Sequence, residues 1–116
     1  MAIHNDFGKE AEQLATKWLA ENGFCILHRN WRHGSLEIDI VARKEKYLHF
    51  IEVKALRGKR RPEESVRKKK FKKLQRAVHE YIFRFPGDGW IRYDILAITV
   101  NPGKKPEYFL IEDVFL

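Results

Sequence analysis

Apolar residues recur at helical spacing near the start of the chain. Ala11, Leu14, Ala15, Trp18 and Leu19 fall on one face, which predicts a helix over residues 6–22. Asn5 or Asp6 is suited to cap it and Gly23 to end it. The pattern then shifts toward a period of two. A strand is expected from Phe24 to about Trp31, followed by a turn at His33-Gly34-Ser35. Residues 36–41 alternate apolar with acidic, as a strand with two unlike faces does. After a polar turn at Arg43–Lys46, residues 47–55 form a third strand. Phe50, Glu52 and Lys54 fall on one side of it, and Ile51, Val53 and Ala55 on the other.

A second helical pattern follows a basic loop at residues 58–62. It opens near Pro62, which a first helical turn tolerates, with Glu63 and Glu64 favourable to the helix dipole. Val66, Phe71, Leu74, Ala77, Val78, Tyr81, Ile82 and Phe85 supply its apolar positions, and Pro86-Gly87-Asp88-Gly89 stops it. Residues 90–100 predict a fourth strand. Asn101-Pro102-Gly103 predicts a turn, and residues 108–111 a short strand at a sheet edge. The order is α-β-β-β-α-β-β. Short links make the first three strands an antiparallel meander, and the long helix can return the chain for a parallel strand. The expected class is α/β in the α+β sense: one mixed sheet packed between helices, built as a single domain from all 116 residues.

Composition narrows the function. The chain carries 23 Lys and Arg against 16 Asp and Glu, a net +7, which favours a polyanionic partner. The charge is local. Eleven basic residues between Arg57 and Arg76 face two acids, so that segment carries +9 and the remainder −2. Arg57, Lys59, Arg60 and Arg61 in the loop, with Lys70 and Lys73 on the helix, are the expected phosphate contacts. Such contacts supply affinity without sequence preference. The lone Cys25 excludes an intrachain disulfide and fits a reducing compartment. With no signal-like apolar run and no membrane-spanning stretch, a cytoplasmic protein without a membrane partner is expected. The scattered histidines lack paired ligand spacing, and no glycine-rich phosphate loop occurs. Trp18, Trp31, Trp90 and Phe109 are expected in the core or at an interface. The Tyr108-Phe109-Leu110 edge is a candidate for pairing two chains into a homodimer.

The densest chemical signal is Asp39, twelve residues, then Glu52-Val53-Lys54. Glu52 and Lys54 project to one face, and a hairpin can set Asp39 beside Glu52. Paired carboxylates repel unless a cation neutralises them, and hard divalent cations take oxygen ligands. The Val53 carbonyl can turn toward the same ion, and Lys54 can orient water. The bland alternative is a solvated hairpin with a cross-strand salt pair. Against it, Ile38, Ile40, Val41, Phe50, Ile51 and Val53 mark these strands as central.

Several segments together resemble the bacterial YraN family, a branch of the PD-(D/E)xK nuclease superfamily. They are Gly8-x-x-Ala11-Glu12-x-x-Ala15-x-x-Trp18-Leu19, Gly23-Phe24-x-Ile26-Leu27-x-Arg29-Asn30-Trp31-Arg32, Glu37-Ile38-Asp39-Ile40-Val41-Ala42, Phe50-Ile51-Glu52-Val53-Lys54, Pro62-x-Glu64-Ser65-Val66-x-x-x-Lys70-x-x-Lys73-Leu74 and Arg92-Tyr93-Asp94-Ile95-Leu96. The resemblance covers most of the chain and implies a restriction-endonuclease-like core. It implies catalytic positions at Asp39, Glu52 and Lys54, with Glu12 joining from the first helix, and a Mg²⁺- or Mn²⁺-dependent endonuclease acting on DNA. At roughly 100° per residue Glu12 lies about 20° from Leu19, so it can turn toward the sheet. Leu36 and Ala11 stand where the family usually has glycine, and Leu56 where it often has arginine. Two further readings stand beside this one: a nuclease fold that binds nucleic acid without cutting it, and an interaction protein whose basic helix docks an acidic partner. Asp94 is read as structural.

Overall fold

The structure is a computed structural model that describes residues 2–58, 68–87 and 89–114, with side chains described from Gly8 onward in the first helix and from Lys72 onward in the second. Helix α1 (Ala2–Glu21) leads into strands β1 (Cys25–His33), β2 (Leu36–Lys44) and β3 (Tyr47–Leu56). Helix α2 (Lys68–Arg84) then precedes β4 (Trp90–Thr99) and β5 (Glu107–Ile111). The five strands form one sheet in the order β1-β2-β3-β4-β5. β3 and β4 run parallel, and every other pair runs antiparallel. This is the expected mixed sheet with its meander, its parallel return through α2 and β5 at an edge.

Each helix covers one face. Ala11, Ala15 and Leu19 of α1 are buried against Ile40, Ala42, Ile51, Leu96 and Ile98. Leu74, Ala77, Val78 and Tyr81 of α2 are buried against Ile38, Val41, Phe50 and Ile95. Truncating any of the large members to alanine costs about 2–5 kcal/mol. Trp18 lies partly buried beside the first cluster and stacks on Tyr108, while Trp31 joins the second.

Several expectations need correction. The helix begins at Ala2, so Asn5 and Asp6 lie inside it rather than at a cap. Its end is as read: Gly23 takes φ +91°, Phe24 N–H donates to the Leu19 carbonyl and Gly23 N–H to that of Ala20. That pattern satisfies two carbonyls only if the residue after the helix turns left-handed, which glycine does without strain. The turn expected at Arg43–Lys46 shrinks to Glu45 and Lys46, because β2 runs on to Lys44. Trp90 and Phe109 are exposed, which leaves the interface half of the core-or-interface expectation for them, and Phe85 is half exposed although its spacing placed it on the buried face. The expected start of α2 near Pro62 lies outside the described residues. Among the described residues no helix is long and apolar enough to cross a membrane.

Candidate functional site

The β2–β3 ladder runs from Lys44↔Tyr47 to Ile40↔Ile51 and stops there. The next group on β2 is Asp39. Its Oδ2 accepts the Val53 N–H at 2.8 Å. A partly buried amide needs an acceptor, and where the ladder ends a side-chain carboxylate supplies it. On the other side of Asp39, the pairs Arg29↔Ile40 and Trp31↔Ile38 bracket Asn30, whose φ is +51°. Both strands of the first hairpin therefore kink at one level. As a result Ile38 packs toward α2 and Ile40 toward α1, although residues two apart share a face in a regular strand. The simple alternation expected for residues 36–41 thus fails at Asp39, and this failure opens the site.

A cavity of about 380 Å³ lies at the split. Gly8, Ala11 and Glu12 of α1 form one wall, and Lys73 and Leu74 of α2 another. Ser35, Glu37 and Asp39 come from the β1–β2 hairpin, and Glu52, Val53 and Ala55 from β3. Carboxylate oxygens of Glu12, Glu37 and Asp39 all lie within 4.8 Å of one another. The Asp39 carboxyl is pushed up to about 7. Burial is the largest cause, and the Val53 N–H opposes it; the negative charges of Glu52, Glu12 and Glu37 then add to the rise. The pocket therefore gathers acid groups around one half-buried carboxyl, and desolvation together with repulsion favours holding a proton there. A divalent cation would relieve the same repulsion. The donors are all oxygens, with no Cys or His among them, which fits a hard cation such as Mg²⁺ or Mn²⁺.

The model of the uncharacterised protein family UPF0102 matches residues 11–98. The chain belongs to this family. Among its relatives, a UPF0102 protein of Bacteroides thetaiotaomicron is 43% identical over 105 residues, covering 89% of this chain and 87% of the relative. One from Phocaeicola vulgatus is 38% identical over 119 residues, covering 99% and 96%. One from Flavobacterium psychrophilum is 40% identical over 118 residues, covering 99% and 98%. The likeness to a YraN-type family read from the motifs is thereby a family assignment.

In this UPF0102 chain, the residues singled out by sequence divide into groups. Asp39, Glu52, Val53 and Glu12 line one cavity, although they come from three elements. Lys54 is half-buried and does not contribute to that wall. Lys73 lines the cavity and Arg57 is exposed just beyond β3. Lys59, Arg60 and Arg61 lie outside the described residues, as does the side chain of Lys70. Glu37 and Ser35 were missed. The signal for Glu37 was its two-residue spacing from Asp39; Ser35 enters only because the hairpin turn folds over the pocket mouth.

Proposed function

We propose that this UPF0102 protein is a nuclease of the PD-(D/E)xK type that hydrolyses DNA phosphodiester bonds with a divalent cation. The observation that carries the reading is the half-buried Asp39 carboxyl, set where two central strands part and ringed by Glu52, Glu12 and Glu37. Asp39, Glu52 and the Val53 carbonyl would hold the ion, with Glu12 and Glu37 completing the oxygen set. A bound Mg²⁺ or Mn²⁺ supplies Lewis-acid polarisation of a phosphoryl oxygen and makes water more acidic.

The chain's own groups account for the remaining work. The Val53 N–H fixes one oxygen of Asp39, whose side chain lines the cavity. Lys73 brings positive charge to the mouth, where a phosphate would enter. Lys54 would orient the attacking water once substrate is present. Water oxygen attacks phosphorus in line, the P–O bond to the leaving sugar oxygen of the strand breaks, that oxygen takes a proton from solvent water, and the proton lost from the attacking water passes to an acid of the pocket. The positive segment from Arg57 to Arg76 supports a backbone-directed grip on DNA.

The test is a cleavage screen in Mg²⁺ and Mn²⁺ over linear, single-stranded, flapped and four-way DNA. Cleavage that disappears in Glu52→Ala and with chelator supports the reading. Equal residual cleavage by wild type and Glu52→Ala on every substrate overturns it. A second reading, a domain that binds nucleic acid without cutting it, is favoured by one observation: Lys54 does not line the cavity. Tight, salt-sensitive DNA binding without cleavage would select it.

A further inference from the structure

We propose that the pole opposite the acidic pocket is a docking groove for an acidic peptide segment of a partner protein, anchored by bulky apolar side chains. A cavity of about 270 Å³ lies between the last turns of α2, the kinked start of β1 and the first residues of β4. Leu27, Tyr81, Ile82, Phe85 and Ile91 form its apolar walls. Leu27 reaches it because the β1–β2 register shifts between Ile26 and His28, which takes Leu27 out of the strand's alternation. Leu27, Phe85 and Ile91 are 43%, 46% and 39% exposed, and their sequence neighbours Phe83 and Trp90 are 81% and 68% exposed. Leu27, Phe85 and Ile91 meet water within one recess, which marks a contact surface rather than scattered surface hydrophobes.

Charge selects the occupant. Among the described residues lining the groove, Arg43 is the only charged one. Its guanidinium lies 3.7 Å from where a Cβ on Gly89 would sit, and its charge opposes the rise that burial imposes on the Tyr81 hydroxyl. Among the described residues, Arg43 takes part in none of the ion pairs, which include those of Arg32, His33, His49 and Arg84. A half-buried guanidinium between apolar walls is suited to a carboxylate flanked by apolar side chains. Lys46 and Arg92, both set against the Tyr47 ring, add positive charge at the same end of the sheet. A nucleic-acid strand would bring a row of phosphates to a recess with one cation and greasy walls. A second copy would bring its own net +7 toward these cations. Along α2, Leu74 at the acidic pocket and Phe85 at the groove are eleven residues apart, about 16 Å of helix. An occupant here leaves the acidic pocket open, so docking and any chemistry there are compatible.

The experiment is an NMR titration of the ¹⁵N-labelled full chain with three synthetic peptides of equal length. One is built from Glu, Phe and Leu, one has Lys for Glu, and one has Ala for Phe and Leu. The first is expected to shift the amides of Leu27, Arg43, Phe85 and Ile91 and to leave those of Glu12 and Ser35 in place. Arg43→Gln should weaken it about tenfold, the loss of a charge-assisted contact. Leu27→Glu, at an exposed position, should weaken it further without unfolding the protein, as the spectrum itself reports. Lys73→Gln should change affinity less than about twofold. The proposal fails if no peptide binds, or if the Lys or Ala peptide binds as well. It also fails if shifts fall only around Lys72 and Arg76, or if sedimentation shows a dimer that Phe83→Asp abolishes.

Discussion

Two aspartates stand on the inner strands of this sheet, Asp94 fully buried and Asp39 half-buried, and they are treated in opposite ways. Asp94 on β4 is 1% exposed and fully partnered. His49 Nδ1–H donates to its Oδ2 at 2.5 Å, and the Asp113 N–H donates to its Oδ1 at 2.8 Å. Phe24 closes over His49 edge-on. Asp39 on β2 accepts one backbone amide, and the charges that act on it among the described residues are those of Glu52, Glu12 and Glu37. The first arrangement ties strands and the chain after β5 together; Val114 N–H adds a bond to the Tyr93 carbonyl there. The second leaves one carboxyl strained by burial and repulsion. A buried acid with its own base and amide is structural. A buried acid among other acids is poised for a ligand that supplies positive charge.

The comparison is most directly broken by exchanging the roles. Asp39→Asn keeps an oxygen for the Val53 N–H and should lower DNA cleavage about a thousandfold, roughly 4 kcal/mol of barrier. Calorimetry on the same variant should show Mn²⁺ binding lost. If Asp39→Asn cuts DNA like wild type, the pocket is not the active centre. Asp94→Ala is expected to do the reverse. It strands His49 in the core and should cost about 3–5 kcal/mol in urea unfolding, with the Mn²⁺ affinity of the remaining folded protein unchanged.

pH sharpens the contrast. The Asp39 carboxyl is raised from 3.8 to about 7 in the folded, metal-free protein. Between those values the native state holds a proton that the unfolded chain has released. Stability should therefore fall as pH rises through that window, by up to about 1.4 kcal/mol per unit, and level off above 7. In Asp39→Asn that slope should shrink, and the metal-free variant should be more stable than wild type at pH 8. Mn²⁺ should bind progressively more weakly below pH 7, because proton and cation compete for one oxygen. A denaturation midpoint with the same pH slope in wild type and Asp39→Asn would count against the electrostatic account. Smaller effects follow at the rim. Glu37→Gln removes one acid from the cluster and should weaken Mn²⁺ about tenfold, as removal of supporting groups around a metal does. Lys73→Ala should lower DNA affinity a few-fold and reduce the salt dependence of binding by about one contact, in a titration over NaCl concentration.

How much of this was legible before the fold can be argued from particular residues. Element order came through because period-two and helical patterns persist for several residues in each segment, and each helix buries one face. Glu12, Asp39 and Glu52 were also legible, as acids beside apolar core positions. Lys54 shows the limit: sharing a strand face with Glu52 does not bring it to the wall of the same cavity. Trp90 and Phe109 show another, since aromatic character marks the capacity to be buried and not the presence of a covering partner. The caps expected at Asn5 and Asp6 failed because capping residues also occur inside helices when the chain before them continues the helix.

Local pattern by itself determined the helices, the strands, the meander with its parallel return and the acids worth watching, because these depend on neighbours a few residues away. Only the tertiary structure decided that β2 parts from β3 at Asp39, that Ile38 and Ile40 end on opposite faces, and that Glu37 joins Glu12 across the pocket. It alone paired His49 with Asp94 across 45 residues of chain. The reason is that burial, and the electrostatics that burial amplifies, belong to the space between elements, where residues distant in sequence displace the same water.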